Sequence, residues 1–99
     1  MIVVAGSVPI APDKLDSVRE AIAVVCQATR TEQGCISYDF SFDAGDPSLV
    51  RVFERWETAA ALDAHLAQPH TQRFLEALGG MASGAPDVQR YVVDRVEPL

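Results

Sequence analysis

The chain is poor in basic charge. Its 99 residues include 8 lysines and arginines against 14 aspartates and glutamates, for a formal net charge of −6. No arginine-rich run is available to neutralise a row of phosphates, so nucleic acid is not an expected partner. Anionic membrane surfaces are excluded as partners for the same reason.

Cysteine is also scarce. Cys26 and Cys35 are the only two, and they lack the C-x-x-C spacing. Two thiols are too few to brace a small secreted domain with disulfides, so we expect both to be reduced. The first ten residues have no basic segment before their apolar run, which argues against a signal peptide. Together these features predict a cytoplasmic protein.

The composition is that of a folded domain. Hydrophobic residues make up 48% of the chain and charged residues 22%, without low-complexity segments or repeats. A chain of this length forms one domain, residues 1–99, and buries only about 60–65% of its unfolded surface. Association with a second copy would therefore add useful stability.

The first half of the chain reads as strand then helix. Residues 2–10 carry apolar groups at both parities, which is typical of a central strand covered on both faces. Pro12 and Asp13 predict a helix start, with Asp13 as the capping side chain. Apolar residues then recur every three or four positions over 15–29, and Gly34 is expected to close the helix in a left-handed conformation.

A strand hairpin follows. Residues 35–43 alternate aromatic and small side chains, residues 44–47 form a turn, and residues 48–56 return as an antiparallel strand. In the returning strand, alternation places Val52, Glu54 and Trp56 on one face.

The remaining residues predict a broken helix and a last strand. Thr58 caps the helix, and Pro69 interrupts it and starts a second helical piece. That piece is expected to present apolar residues as far as Met81, and Gly79-Gly80 and Ser83-Gly84 are expected to loosen its end. Alternation over residues 87–96 then predicts the final strand.

The resulting order is β-α-β-β-α-β, an α+β arrangement with helices on one face of a four-stranded antiparallel sheet. Apolar residues such as Ile2 and Phe53 occur at both parities, and no further helix is available to cover the second face. We therefore predict a homodimer formed by sheet packing.

Three runs of residues resemble the antibiotic biosynthesis monooxygenase domain. They are E-Q-G-C-I-S-Y-D-F at 32–40, F-E-R-W-E at 53–57, and H-L-A-Q-P-H at 65–70 followed by Phe74. The resemblance spans nearly the whole chain and is nearest to the small quinol monooxygenases. It implies a dimeric α+β barrel of ferredoxin-like protomers with a pocket between sheet and helices. These motifs specify the fold more than the substrate.

Three residues are candidates for catalysis. His65 lies on the apolar stripe of its helix, where it is either a core histidine or a base able to exchange a proton with a phenol. Trp56 is either a pocket wall or core. Glu54 faces the helix-covered layer, where an unpaired carboxylate is costly. It either makes a structural hydrogen bond, orients His65 or accepts a substrate proton.

Four further residues are candidates for substrate binding. Val52 and Phe74 would form apolar walls, and Tyr38 would donate a hydrogen bond or fill the core. His70 would close a turn or line the pocket mouth.

His65 and His70 span a proline break and lack a third ligand signature, so no metal is expected. No glycine-rich phosphate loop is present, so no nucleotide or flavin cofactor is expected either.

The family resemblance, together with an expected aromatic-walled pocket and the inward-facing His65, implies a cofactor-independent monooxygenase that oxidises a phenol or hydroquinone with O2 to a quinone. A non-enzymatic protein that binds a small aromatic ligand or a partner is the alternative, as is an isomerase or haem-binding relative on the same barrel. Haem-degrading relatives carry an asparagine early on the first strand, where this chain has Ser7, which disfavours haem degradation.

Overall fold

A computed structural model describes residues 1–99. Its elements, in chain order, are β1 (Ile2–Pro9), a single 3₁₀ turn (Pro12–Lys14), α1 (Leu15–Thr29), β2 (Cys35–Phe42), β3 (Leu49–Trp56), α2 (Ala59–Leu66), α3 (Pro69–Met81) and β4 (Asp87–Val92). This confirms the predicted order, with the second helix in two pieces. None of the helices combines the length and hydropathy needed to cross a membrane.

The four strands form one antiparallel sheet in the order β2-β3-β1-β4. The central position predicted for β1 is therefore confirmed. Ile2 pairs with Trp56 on one neighbour and with Val92 on the other, while Glu54 pairs with Tyr38 of β2. Because side chains alternate along a strand, this register places Ile2, Tyr38, Glu54 and Trp56 on the same face.

The helices cover that face and build the core against it. The buried apolar side chains between the two layers are Ile2, Val8, Ile10, Val18, Val25, Cys26, Tyr38, Val50, Trp56, Leu62, Phe74 and Leu78. On the opposite face, Phe53 is 47% exposed and Tyr91 is 49% exposed. Ser7 shares that uncovered face, since it pairs with Arg51 and Asp87. It therefore lies on the side of the sheet away from the helices.

The start and end of α1 differ from the prediction. Asp13 lies inside the 3₁₀ turn, and neither that turn nor α1 has a side-chain cap. The predicted capping role of Asp13 is therefore wrong, because the residue sits past the cap position, which Ala11 occupies. The helix ends at Thr29, just before the segment 31–34 in which its end was predicted. Gly34 does adopt the predicted left-handed conformation, with φ of +84°.

The helix break is as predicted. Thr58 caps α2 by accepting a hydrogen bond from the Ala61 N–H at 3.1 Å, and Pro69 occupies the first turn of α3. As predicted, α3 reaches Met81; it continues through Gly79 and Gly80, which do not end it, and stops before Ser83. Two helical glycines cost only about 1 kcal/mol each, and Met81 packs against the core.

The last strand is shorter than predicted. β4 ends at Val92, not at residue 96. Its only partner is β1, whose first residue, Ile2, lies opposite Val92. Beyond that point a single hydrogen bond from the Val93 N–H to the Met1 carbonyl continues the pairing. The alternating pattern in the sequence therefore continues beyond the point at which β1 can pair with β4.

Candidate functional site

A pocket of about 260 Å³ lies between the sheet and the paired helices α2 and α3. Its volume is slightly below the range of about 300–1,000 Å³ usual for ligand pockets, which suits a small molecule. Ten of its 15 lining residues are hydrophobic, Tyr38 among them, and the polar groups are few: the Tyr38 hydroxyl, Glu54, His65 and Thr71. An apolar enclosure with a few polar groups is typical of a binding or active site.

The strand side of the pocket carries a buried carboxylate. Glu54 is only 7% exposed, and its Oε1 accepts a hydrogen bond from Trp56 Nε1 at 2.9 Å. Burial raises the pKa of Glu54 to about 7, although the indole hydrogen bond acts in the opposite direction. Glu54 therefore exchanges its proton near neutral pH.

Tyr38 lies beside Glu54 on the neighbouring strand. Burial, and then the negative charge of Glu54, raise the pKa of Tyr38 above its ordinary value. Its hydroxyl consequently stays protonated at physiological pH and remains a hydrogen-bond donor.

The helix side of the pocket carries His65, on the last turn of α2. Its side chain is 2% exposed, and its ring centroid lies 4.7 Å from that of Trp56 and 5.2 Å from that of Tyr38. Burial lowers the pKa of His65, and a hydrogen bond to Glu32 partly offsets the decrease. The imidazole is therefore neutral at pH 7 and able to accept a proton.

Glu32 is the carboxylate hydrogen-bonded to His65, and the sequence did not single it out as a site residue. Its Oε2 lies 2.8 Å from His65 Nδ1 and 2.9 Å from His70 Nε2. The arrangement in which Glu54 orients His65 is not found, because Glu54 is paired with Trp56 instead. The E-x-G-C motif that begins at Glu32 was the one available signal.

Gly34 explains how the loop between α1 and β2 brings Glu32 to this position. A side chain at Gly34 would place its Cβ 2.5 Å from the Cβ of Ala61 on α2. The absence of a side chain lets the loop pack directly against α2, the helix that carries His65. The loop is also held by a hydrogen bond from the Glu57 N–H to the Gly34 carbonyl at 2.8 Å.

The structure gathers most of the predicted site residues around one pocket. Five of the seven line it, and these are Tyr38, Val52, Glu54, His65 and Phe74. Trp56 is fully buried behind the wall, where it holds Glu54. His70 lies outside the pocket, on the groove between α1 and α3. It is not at the predicted pocket mouth, because the helix break turns it towards Glu32.

Glu32, His65 and His70 also form a possible metal-ligand set. Their three ligand atoms lie within 4.8 Å of one another, and two imidazoles with one carboxylate suit zinc or iron(II). Glu32 would be the third ligand of such a set, and the sequence did not reveal it. The separations of 2.8 and 2.9 Å are those of hydrogen bonds, whereas tetrahedral zinc would hold its ligand atoms about 3.4 Å apart. The geometry therefore favours hydrogen bonding.

Fold and site together define an α+β, ferredoxin-like protein with a small apolar pocket that contains a neutral histidine and a weakly acidic carboxyl group. The sequence profile of the family "Antibiotic biosynthesis monooxygenase" matches residues 1–77. The chain belongs to this family, and the resemblance seen in its motifs is confirmed.

Individual relatives agree with this assignment. The Escherichia coli protein named "Probable quinol monooxygenase YgiN" is 31% identical over 72 residues, covering 65% of this chain and 69% of that protein. The Synechocystis protein sll1783, uncharacterized, is 31% identical over 98 residues, covering 99% of this chain and 67% of that protein. The chain therefore spans about two thirds of the length of these curated relatives.

Solved structures share the fold. The structure of Rv0793 from Mycobacterium tuberculosis has a TM-score of 0.88 at 26% identity, covering 97% of this chain and 98% of that one. A Deinococcus radiodurans structure described under the same family name has a TM-score of 0.92 at 24% identity, covering 100% and 98%. At that identity, the second likeness supports the fold alone.

Proposed function

We propose that this protein is a cofactor-independent monooxygenase that oxidises a phenol or hydroquinone with O2 to a quinone. The observation that carries the proposal is a buried His65 that lines an apolar pocket, where burial lowers its pKa. Membership of a monooxygenase family supports the reaction class. The choice of a hydroquinone is supported by the name of the E. coli relative.

The reaction balances without an external reductant. A phenol with a free para C–H takes one oxygen atom from O2 to become a para-quinone. The second oxygen atom leaves as water with two hydrogens from the substrate. A hydroquinone likewise gives a hydroxyquinone and water. In both cases the substrate supplies all the electrons, so the protein has to provide a base, orientation and exclusion of bulk water.

His65 is the proposed base. Its Nδ1 is occupied by Glu32 and Thr71, so Nε2 is the ring nitrogen left for a ligand. Nε2 would take the phenolic proton, and the resulting anion would pass one electron to O2. Radical recombination then forms the new C–O bond, and loss of water gives the quinone. An unprotonated imidazole at neutral pH is the form that this first step requires.

Glu54 and Tyr38 are the proposed hydrogen-bond donors of the pocket. With its pKa raised to about 7, Glu54 is partly protonated at neutrality and can donate to an oxygen atom that develops negative charge. The Tyr38 hydroxyl provides a second donor, and Val52 and Phe74 form apolar walls. Such a pocket orients an aromatic ring while limiting side reactions of the radical pair.

Oxygen uptake with a panel of phenols and hydroquinones tests the proposal. Each rate is corrected for autoxidation and compared with that of the His65→Ala variant. Replacing the exposed Glu57 with glutamine gives a matched control far less coupled to the pocket. Loss of a general base should lower kcat by about 10²–10⁴-fold. Uptake no faster in the wild type than in His65→Ala would contradict the assignment.

The alternative is a protein that binds an aromatic ligand without reacting with it. The mostly hydrophobic lining of the pocket favours this second candidate. A compound that raises Tm under air and is recovered unchanged would support it.

We also propose that the protein is a cytoplasmic homodimer formed by packing of the uncovered sheet faces. Phe53 and Tyr91 are about half exposed on this face, and Val3 and Ala5 lie beside them in the register. A face of this kind is costly to leave in water. Sedimentation should show a dimer at micromolar concentration and a monomer for Phe53→Glu. A stable wild-type monomer would contradict the dimer.

A further inference from the structure

Glu32, the first residue of the motif E-x-G-C, has no role in the proposed reaction as described so far. Glu32 lies 33 residues before His65 and 38 before His70, yet its Oε2 contacts both rings. Its side chain is 12% exposed, between the 2% exposed His65 and the 20% exposed His70. One carboxylate oxygen therefore links the buried pocket wall to the outer groove between α1 and α3.

This contact determines the tautomer of His65. A carboxylate only accepts hydrogen bonds, so the nitrogen facing it must carry the proton. Nδ1 of His65 is that nitrogen, at 2.8 Å. In a neutral imidazole the other nitrogen, Nε2, then has the free lone pair. The base proposed above needs this tautomer, and a histidine without a partner at Nδ1 would not be restricted to it.

The same contact orients the ring and compensates the charge that forms on it. Thr71 Oγ1 lies 3.2 Å from Nδ1 and confines the ring from the α3 side. When His65 accepts a proton, an imidazolium forms in a nearly water-free position, which burial disfavours. A carboxylate at hydrogen-bond distance stabilises that cation more than it stabilises the neutral ring.

His70 and Gly34 keep the carboxylate in place. His70 Nε2 holds Oε2 from the solvent side, and Gly34 allows the loop to approach Ala61 of α2. Side chains from the α1–β2 loop, α2 and α3 thus meet at one oxygen atom. The helix break before Pro69 is what places His65 and His70 on either side of it.

We propose that Glu32 is the positioning residue of this site: it holds His65 as the Nδ1–H tautomer with Nε2 free towards the pocket, while His70 anchors Glu32 from outside. The catalytic meaning of this arrangement rests on the proposed function. The tautomer and the charge coupling do not, and they are measurable without any substrate.

Nitrogen-15 NMR of histidine-labelled protein tests the tautomer directly. The chain has only 2 histidines, so the two spin systems separate readily, and a His70→Gln variant assigns them. We expect His65 at pH 7 to be neutral and protonated on Nδ1. A wild-type His65 protonated on Nε2, or an even mixture of tautomers, would overturn the proposal. This measurement needs no variant at Glu32 and so does not depend on how such a variant folds.

Glu32→Gln tests the charge coupling, because it keeps the shape and removes the charge. The pKa of His65 should fall further, by about one unit, whereas Glu57→Gln should leave it unchanged. If a substrate is found, kcat should fall about tenfold at neutral pH with KM nearly constant. An unaltered His65 pKa in Glu32→Gln would overturn the proposal.

Metal analysis of the same samples separates hydrogen bonding from ligation. One zinc or iron per wild-type chain, lost in Glu32→Gln, would show that Glu32 is a ligand and would overturn the positioning role. Conversely, the expected tautomer and pKa change without oxygen uptake would retain the positioning role of Glu32 and reject only the monooxygenase assignment.

Discussion

The pocket has two walls, and a carboxylate pairs with the N–H of an aromatic ring at each: Glu54 lines the strand wall, whereas Glu32 lies behind the helix wall. On the strand wall Glu54 pairs with Trp56, two residues away on the same strand. Behind the helix wall Glu32 pairs with His65 and His70, from distant parts of the chain. The indole cannot titrate, whereas the imidazole can. The strand wall consequently provides a weak acid, and the helix wall provides a base.

Of the substitutions considered, Glu54→Gln, on the strand wall, should have the largest effect, and the quantity that it changes is the pH dependence of stability. The folded-state pKa of Glu54 is raised to about 7 from 4.5. Its contribution to stability is therefore fully present below about pH 4.5, declines as pH rises towards 7, and is constant above that. The difference corresponds to about 3 kcal/mol. Because glutamine does not ionise, the variant should lack this part of the pH dependence.

Urea unfolding of both proteins at pH 4.5, 6 and 8, at one protein concentration, measures that difference. The wild type should lose stability relative to Glu54→Gln as the pH rises. Parallel stability curves for the two proteins would contradict the buried, weakly acidic carboxyl group on the strand wall.

Gly34→Ala should have a smaller effect, confined to the helix wall. The added Cβ would meet Ala61 at 2.5 Å in a backbone conformation with φ of +84°, which costs about 1–3 kcal/mol. Displacement of the loop should also separate Glu32 from His65 and alter the His65 NMR signals. The pKa of Glu54 should stay unchanged in this variant, because Glu54 belongs to the strand wall.

Gly80→Ala is the matched control for that variant. Gly80 is helical, and no atom lies within 4 Å of the position that a Cβ would occupy. Alanine there should stabilise the helix by up to about 1 kcal/mol. A Gly34→Ala protein as stable as Gly80→Ala, with unchanged His65 signals, would refute the role given to the loop.

Trp56→Phe should produce the smallest change, a further rise in the pKa of Glu54. The indole hydrogen bond lowers that pKa against the effect of burial, so its removal should raise the value by about one unit. Carbon-13 NMR of labelled glutamate side chains follows the titration. A pKa of Glu54 that stays the same or decreases would show that the hydrogen bond does not favour the charged form.

The strand wall depends on relations within one strand, whereas the helix wall depends on contacts between distant parts of the chain. This difference explains how much of the structure could be predicted from the sequence. Alternation along β3 was enough to place Val52, Glu54 and Trp56 together on the helix-covered face, because that relation is local. The helical stripe that includes Leu62 was enough to turn His65 inward. Both predictions rest on periodicity within a single element.

Contacts between elements were not accessible in this way. Glu32 reaches His65 only because the loop packs on α2 at Gly34, and no local pattern encodes a contact over 33 residues. The end of β4 at Val92 was missed for a similar reason, since it is set by where the partner strand begins. The helical conformation of Gly79 and Gly80, which the sequence did not predict, likewise depends on the packing of Met81 on the core.

Oxygen-18 labelling tests the central claim most directly. A reactive phenol or hydroquinone is incubated under ¹⁸O₂ with protein freed of metals and flavins, and the product is analysed by mass spectrometry. One labelled oxygen atom per quinone, with the second oxygen recovered as water and the yield abolished in His65→Ala, is the predicted result. Unlabelled quinone with an equivalent of hydrogen peroxide, or formation unaffected by His65→Ala, would contradict a monooxygenase that uses His65 as its base.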